Sequence, residues 1–139
     1  MTLQLKDMRL LKRKGYIDGQ WVDADAGGRF AVTDPATGEK IVEVTDMGAA
    51  ETRRAIDAAQ RALPAWRAKP AKERAAVLRK WYDLILAHAD DLALLMTTEQ
   101  GKPLAEARGE VVYGASFVEW FAEEGRRAYG DVIPTTAPD

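Results

Sequence analysis

Residues able to carry reaction chemistry are few in this 139-residue chain: His88 is the single histidine, Ser116 the single serine, and cysteine is absent. A lone imidazole cannot build a histidine metal cluster, and on a helical stripe it serves as a packed or half-exposed side chain. Ser116 has no histidine placed to activate it, so a hydrogen bond to a backbone carbonyl one turn back is its expected role. The missing cysteine removes disulfides, thiolate metal sites and thiol nucleophiles together.

Carboxylates are more plentiful. Glu99, Glu106, Glu110, Glu119, Glu123 and Glu124 could supply acid–base pairs, but five of them share one predicted helix with Arg108, Arg126 and Arg127. Salt-bridged, solvated helix faces explain them without chemistry. The glycines make no G-x-G-x-x-G, and Gly101-Lys102 is followed by Pro103 rather than Ser or Thr, so no phosphate-cradling loop is present. Tyr113, Phe117 and Trp120 form the one aromatic constellation, spaced four and three residues apart.

The elements that position these residues follow from periodicity. Tyr16-Ile17 and Gln20-Trp21-Val22 flank Asp18-Gly19, a pair suited to the positive φ angles of a two-residue hairpin turn. Phe30 to Thr33 and Ile41 to Val44 are further extended runs around Asp34-Pro35-Ala36-Thr37-Gly38, a turn sequence. Residues 15–45 therefore read as a small antiparallel β-meander.

Beyond Gly48 the apolar period changes to that of helices. A first helix is predicted over Ala49 to Leu63, with Thr52, Ile56, Ala59, Leu63 and Trp66 on one side. Pro64 and Pro70 bracket a break. A second helix runs from Pro70 to near His88 and a third from about Asp90 to Gln100, because Asp90-Asp91 favours a cap. Gly101 closes that helix and Pro103 opens a fourth over Leu104 to Tyr129. Its stripe is Leu104, Val111, Ala115, Val118 and Ala122, and the aromatics lie beside it. The fold class is α+β: a β-meander followed by about four helices in one segment, with 1–14 a tail or short helix, 48–129 helical and 130–139 the start of a truncated arm.

Composition bounds the rest. Hydrophobic residues at 47%, charged residues at 30% and a net charge of -2 suit a globular chain and ask for neither nucleic acid nor a membrane. No apolar run is long enough to cross a bilayer, and the basic stretch Leu3 to Lys14 lacks the apolar core of a secretory signal. A cytoplasmic location is expected.

Tyr16-Ile17-Asp18-Gly19-Gln20-Trp21, Asp34-Pro35-Ala36-Thr37-Gly38-Glu39 and Glu99-Gln100-Gly101-Lys102-Pro103, in this order and spacing, resemble the N-terminal third of the aldehyde dehydrogenase superfamily. Gly101 to Gly130, with Glu119-Trp120-Phe121-Ala122-Glu123-Glu124, is similar to the succinate-semialdehyde branch. The resemblance implies a parent enzyme that oxidises a small aldehyde through a cysteine thiohemiacetal, passes hydride to NAD or NADP, and hydrolyses a thioester with a glutamate-activated water. In the family those parts come later in the chain, after a Pro-Trp-Asn-Phe-Pro region that this sequence does not reach. These 139 residues are accordingly expected to bind no cofactor, to hold no catalytic residue and to be inactive alone.

Two sets of positions carry over from the resemblance. Glu99, with the backbone of Val32, matches a monovalent-cation site of some relatives; the alternative is a helix-end carboxylate without an ion. Tyr113, Phe117 and Trp120 match the wall of the substrate entrance; the alternative is burial against further domains. Exposed apolar area on the last helix and at Val132-Ile133 predicts self-association. A non-catalytic helical interaction module and another branch of the family, such as betaine-aldehyde dehydrogenase, are the competing functional readings.

Overall fold

A computed structural model describes residues 3–134. The expected turn at Asp18-Gly19 forms, with φ of 52° and 79°, and joins β1 (Gly15–Ile17) to β2 (Gln20–Val22) in antiparallel register Tyr16↔Trp21. A second pair, β3 (Arg29–Thr33) and β4 (Lys40–Thr45), is also antiparallel, with Val32 opposite Val42. These are two separate two-stranded sheets, so the meander consists of two hairpins. Gly27 at φ +69° lies in the link between them, which is closed by Gly27 N–H donating to Ala24 C=O.

Four helices follow: α1 (Ala49–Ala68), α2 (Ala71–Ala87), α3 (Ala89–Gln100) and α4 (Leu104–Glu124). The first runs past Pro64, where the sequence predicted a break. Only four helical residues follow Pro64, so the missing bond from position 64 to the Gln60 carbonyl lies near the end of the helix and a single further turn remains beyond it. Pro70 is the effective stop, because a residue before proline is pushed to extended backbone, and Lys69 has φ -68° and ψ 140°. The predicted apolar stripe of α1 is also displaced: Ile56, Leu63 and Trp66 are exposed, while Glu51 and Ala58 are the buried residues. The helix is tied to the first hairpin by Arg61, which donates to Asp18 in its turn, and to the link that follows by Arg54 and Glu51, both bonded to Asp25.

His88 caps both neighbouring helices at φ -109°, marking the α2–α3 corner expected there. Gly101, at φ +79°, ends α3 by donating its N–H to Thr97 C=O, and Pro103 caps α4. The core sits between α3 and α4, where Ala89 and Ala93 meet Ala107 and Val111, flanked by Ile85, Leu92 and Met96. Alanine on both sides lets the helices approach closely. Leu104, assigned to the buried stripe from the sequence, is exposed, and α4 ends at Glu124 before Gly125 rather than at Tyr129. A glycine followed by two arginines gives the helix no packing reason to continue.

Residues 3–14 are more than a solvated tail. Asp7 caps a short 3-10 turn over Met8–Leu10, and Leu5 is buried. Of the arm expected over 130–139, Val132 and Ile133 are almost fully exposed, and positions 135–139 lie outside the described residues.

Candidate functional site

The aromatic constellation of α4 assembles as its spacing requires. Tyr113 and Phe117, one turn apart, meet edge to face with ring centroids 4.9 Å apart and planes at 83°. Such pairs are favoured because a positive ring edge faces a negative ring face. Trp120 stands one turn further on, 60% exposed, and with Ser116, Phe117, Glu119, Phe121 and Glu123 lines an open groove of about 570 Å³. Ser116 donates to Tyr113 C=O at 2.7 Å, the backbone bond expected for a helical serine, so its hydroxyl is engaged along its own helix.

The rest of α4 fixes this face outward. Ala107, Val111, Ala115 and Ala122 bury the opposite side, and Arg79 of α2 donates to Glu119 at 2.8 Å. Arg79 also lies over the ring of Tyr82, 4.9 Å from its centroid. The groove is thus apolar along Phe117 and Trp120 and acidic at Glu119 and Glu123. Aromatic walls of this kind can enclose a short hydrocarbon chain and exclude water from it.

Val32 and Glu99 stand on different elements. Glu99, in the last turn of α3, lines an open groove with Met96, Gln100 and Glu110, and Lys102 Nζ holds Glu110 at 2.7 Å. Val32 lies in β3, half-buried, at a register shift between Val32 and Thr33. Such a bulge takes a backbone group out of the ladder and leaves it open to another partner. Among the described residues no three histidine, cysteine or carboxylate side chains converge as a metal cluster. One carboxylate and a backbone carbonyl suit a monovalent cation of low charge density better than a transition metal.

Two carboxylates serve backbone partners that the motifs did not indicate, and Asp91, read from the sequence as part of a helix cap, makes no cap bond to α3. Glu51, 5% exposed, accepts the backbone N–H of Asp25 at 2.7 Å and of Gly48 at 3.0 Å. Those bonds, led by that from Asp25, hold its pKa below the usual glutamate range. Asp91, also 5% exposed, accepts the backbone N–H groups of Lys6 and Asp7. Glutamate three residues into a helix is a recognisable capping position; the long-range partners are not recoverable from spacing. Both act on backbone, not on a substrate.

The architecture is two hairpins followed by four helices, with an exposed aromatic face on α4. Residues 21–139 match the aldehyde dehydrogenase family, and the chain belongs to it. It is 63% identical to the glutarate-semialdehyde dehydrogenase of Pseudomonas putida over 99% of its own length and 28% of the relative's. Against the NADP-dependent succinate-semialdehyde dehydrogenase of Escherichia coli K12 the identity is 61%, over 95% of this chain and 27% of that one. A crystal structure of an E. coli NADP-dependent enzyme superposes with a TM-score of 0.94 at 60% identity, covering 98% of this chain and 28% of the other. The chain therefore spans about 28% of the length of the curated relatives it matches. No helix among the described residues is long and apolar enough to cross a membrane.

Proposed function

We propose that these residues are the scaffold portion of an NAD(P)-dependent dehydrogenase that oxidises a short aldehyde bearing a carboxylate at its far end. The supporting observation is the identity above 60% to relatives named for glutarate semialdehyde and succinate semialdehyde. Those two substrates share an aldehyde, a methylene chain and a terminal carboxylate, and differ by one methylene. A hydrophobic pocket discriminates one methylene by only ~10–200-fold, so the substrate class is better founded than the chain length.

Within such an enzyme the division of labour follows from composition. The family's thioester chemistry needs a thiolate, and no cysteine is present in the 139 residues. A nicotinamide nucleotide would accept the hydride, but no glycine-rich phosphate loop is available here to hold it. Phe117, Trp120 and Tyr113 form the apolar wall along which the methylene chain lies, and the α2–α4 packing keeps them in place. The Val32 carbonyl and the Glu99 carboxylate are assigned to a monovalent cation on the strength of the family resemblance. The soluble, cytoplasmic enzyme expected from the sequence accords with this assignment.

The test is a replacement. Residues 1–139 are placed in the E. coli relative in exchange for its matching segment, and reduced nicotinamide is followed with succinate and glutarate semialdehydes. Activity within about tenfold of the unaltered relative is expected on at least one of them, with none from the 139-residue chain alone. A folded chimera inactive on both aldehydes would overturn the assignment.

A further inference from the structure

The N-terminal segment, the second hairpin and α3 together line a cavity of about 320 Å³. One part of its wall is hydrocarbon, supplied by Leu3, Met8, Leu11 and Ile41, and another carries the cations Arg13 and Lys40. Arg13, Lys40 and Ile41 also line a second cavity, of about 340 Å³, to which Arg29 adds a third cation. The first cavity lies at the small end of the ~300–1,000 Å³ that small-molecule sites occupy.

The wall is held in place by backbone. Asp91 of α3 accepts the N–H groups of Lys6 and Asp7, and Leu5 is buried, so the segment that carries Leu3, Met8 and Leu11 is anchored. Thr45 N–H donates to Arg13 C=O at 3.0 Å, which fastens position 13 to the end of β4. Arg13 thus stands where the two cavities share their lining, on a fixed main chain.

The other charges that line the two cavities have partners. Lys40 meets Glu43 at 3.1 Å and Arg29 meets Asp23 at 2.6 Å. Asp34 accepts the N–H groups of Ala36 and Thr37 within its own turn, and Glu39 is not free. Among the described residues the guanidinium of Arg13 makes no hydrogen bond and no ion pair. A guanidinium presents its N–H donors as a rigid fork that fits both oxygens of a carboxylate. The hydrocarbon wall beside it favours an alkyl chain on that carboxylate, while Asp34 and Glu39 repel a second negative group.

We propose that this cavity binds a linear monocarboxylate of medium chain length, with its carboxylate on Arg13 and its alkyl chain against Leu3, Met8 and Leu11. The site shares no residue with the aromatic face of α4 and does not depend on the proposed dehydrogenase function.

The test is calorimetric titration of the 139-residue chain with hexanoate, octanoate, adipate and hexan-1-ol. Hexanoate and octanoate are expected to bind, octanoate the more tightly, by up to ~4-fold for each added methylene that is buried. Hexan-1-ol, which lacks the charge, and adipate, which carries a second one, are expected to bind about tenfold or more weakly than hexanoate, the worth of one charged hydrogen-bonded contact. Arg13 is exposed, so Arg13→Gln is expected to keep the circular dichroism of the unaltered chain and to lose octanoate binding about tenfold, with Arg13→Lys intermediate because it keeps the charge without the fork. Met8, 51% exposed, gives an independent variant: Met8→Glu sets a like charge in the alkyl wall and should weaken octanoate binding with Arg13 intact. Absence of binding at millimolar octanoate would overturn the proposal. Undiminished binding by both Arg13→Gln and Met8→Glu would place the alkyl acid on other exposed apolar surface, and adipate or hexan-1-ol binding as tightly as hexanoate would remove the selectivity; either result also overturns it.

Discussion

The carboxylate of Asp91 accepts the backbone N–H of Lys6 at 2.9 Å, joining positions 85 residues apart. Its second oxygen takes the N–H of Asp7 at 2.8 Å, so one side chain serves two consecutive backbone donors. Asp91 is 5% exposed, and Lys6 adds an ion pair to the neighbouring Asp90 at 3.1 Å. Asp91→Ala would strand both donors in a poorly hydrated place, a cost of ~1–3 kcal/mol for each buried group left unsatisfied. The expected result is a fall in urea-unfolding free energy of about 2 kcal/mol, with faster hydrogen exchange over residues 5–10. Asp91→Asn, which keeps one acceptor oxygen, is expected to lose less. Equal stability of Asp91→Ala and the unaltered chain would mean that the N-terminal segment is not anchored there.

Stability toward acid is governed by carboxylates held in the charged form. Backbone hydrogen bonds, first from Asp25, depress the pKa of Glu51, and the Arg9 side chain lowers that of Asp7 to about 2. A depressed folded-state pKa gives stability that is fully present above the unfolded value and lost as pH falls through the folded one. For Asp7 that window extends from the ordinary 3.8 down to about 2. Unfolding free energy is expected to drop as pH falls from neutrality into this range. Glu51→Gln/Asp7→Asn should have a flatter profile with lower stability at neutral pH. A double variant with the same slope as the unaltered chain would assign the acid sensitivity to other groups.

The difference between what was legible and what was not lies in the range of the interactions. Asp18-Gly19, Gly101-Lys102-Pro103 and the His88 corner are local instructions, and each appears where the sequence places it. Pro64 misleads because it stands near the end of its helix, with only about one turn after it. The α1 stripe misleads for a different reason. Periodicity identifies an apolar face but not its partner, and Glu51, bonded to the backbone of Asp25 and Gly48, and Ala58 are buried while Ile56 stays 61% exposed. The aromatic trio was legible as a neighbourhood on one helix; the Arg79–Glu119 link that steadies it spans 40 residues and leaves no trace in spacing.

Exposed apolar surface gives a third prediction. Tyr113, Phe117, Trp120 and Phe121 are each at least 47% exposed on one helix, and Val77, Trp81 and Leu84 of α2 are similarly uncovered. Contiguous apolar patches of several hundred Å² on a soluble chain tend to be covered by a partner. The 139-residue chain is expected to associate with itself at micromolar to millimolar concentration, with a sedimentation coefficient that rises with loading. Phe117→Glu/Phe121→Lys should restore a concentration-independent profile without loss of helical circular dichroism. A monomeric profile for the unaltered chain throughout that range would sink the prediction.

The wall itself is testable through kinetics. Trp120 is 60% exposed and makes no hydrogen bond among the described residues, and the packing side of α4 is left to Ala107, Val111, Ala115 and Ala122, so Trp120→Ala should leave the fold intact. If the indole lines the path of the methylene chain, its removal takes away contact that the substrate makes before and during reaction alike. Uniform loss of that kind raises KM and spares kcat, whereas loss of a group acting only in the transition state lowers kcat. In the chimera with the E. coli relative, Trp120→Ala is expected to raise KM for the aldehyde about tenfold, equivalent to ~1.4 kcal/mol. KM for the nicotinamide nucleotide should be unchanged, because the residues of this chain offer it no phosphate loop. Trp120→Phe should recover most of the loss, since a smaller aromatic face still covers hydrocarbon. An unchanged aldehyde KM in Trp120→Ala would move the wall away from this helix and return its aromatic face to a purely packing role.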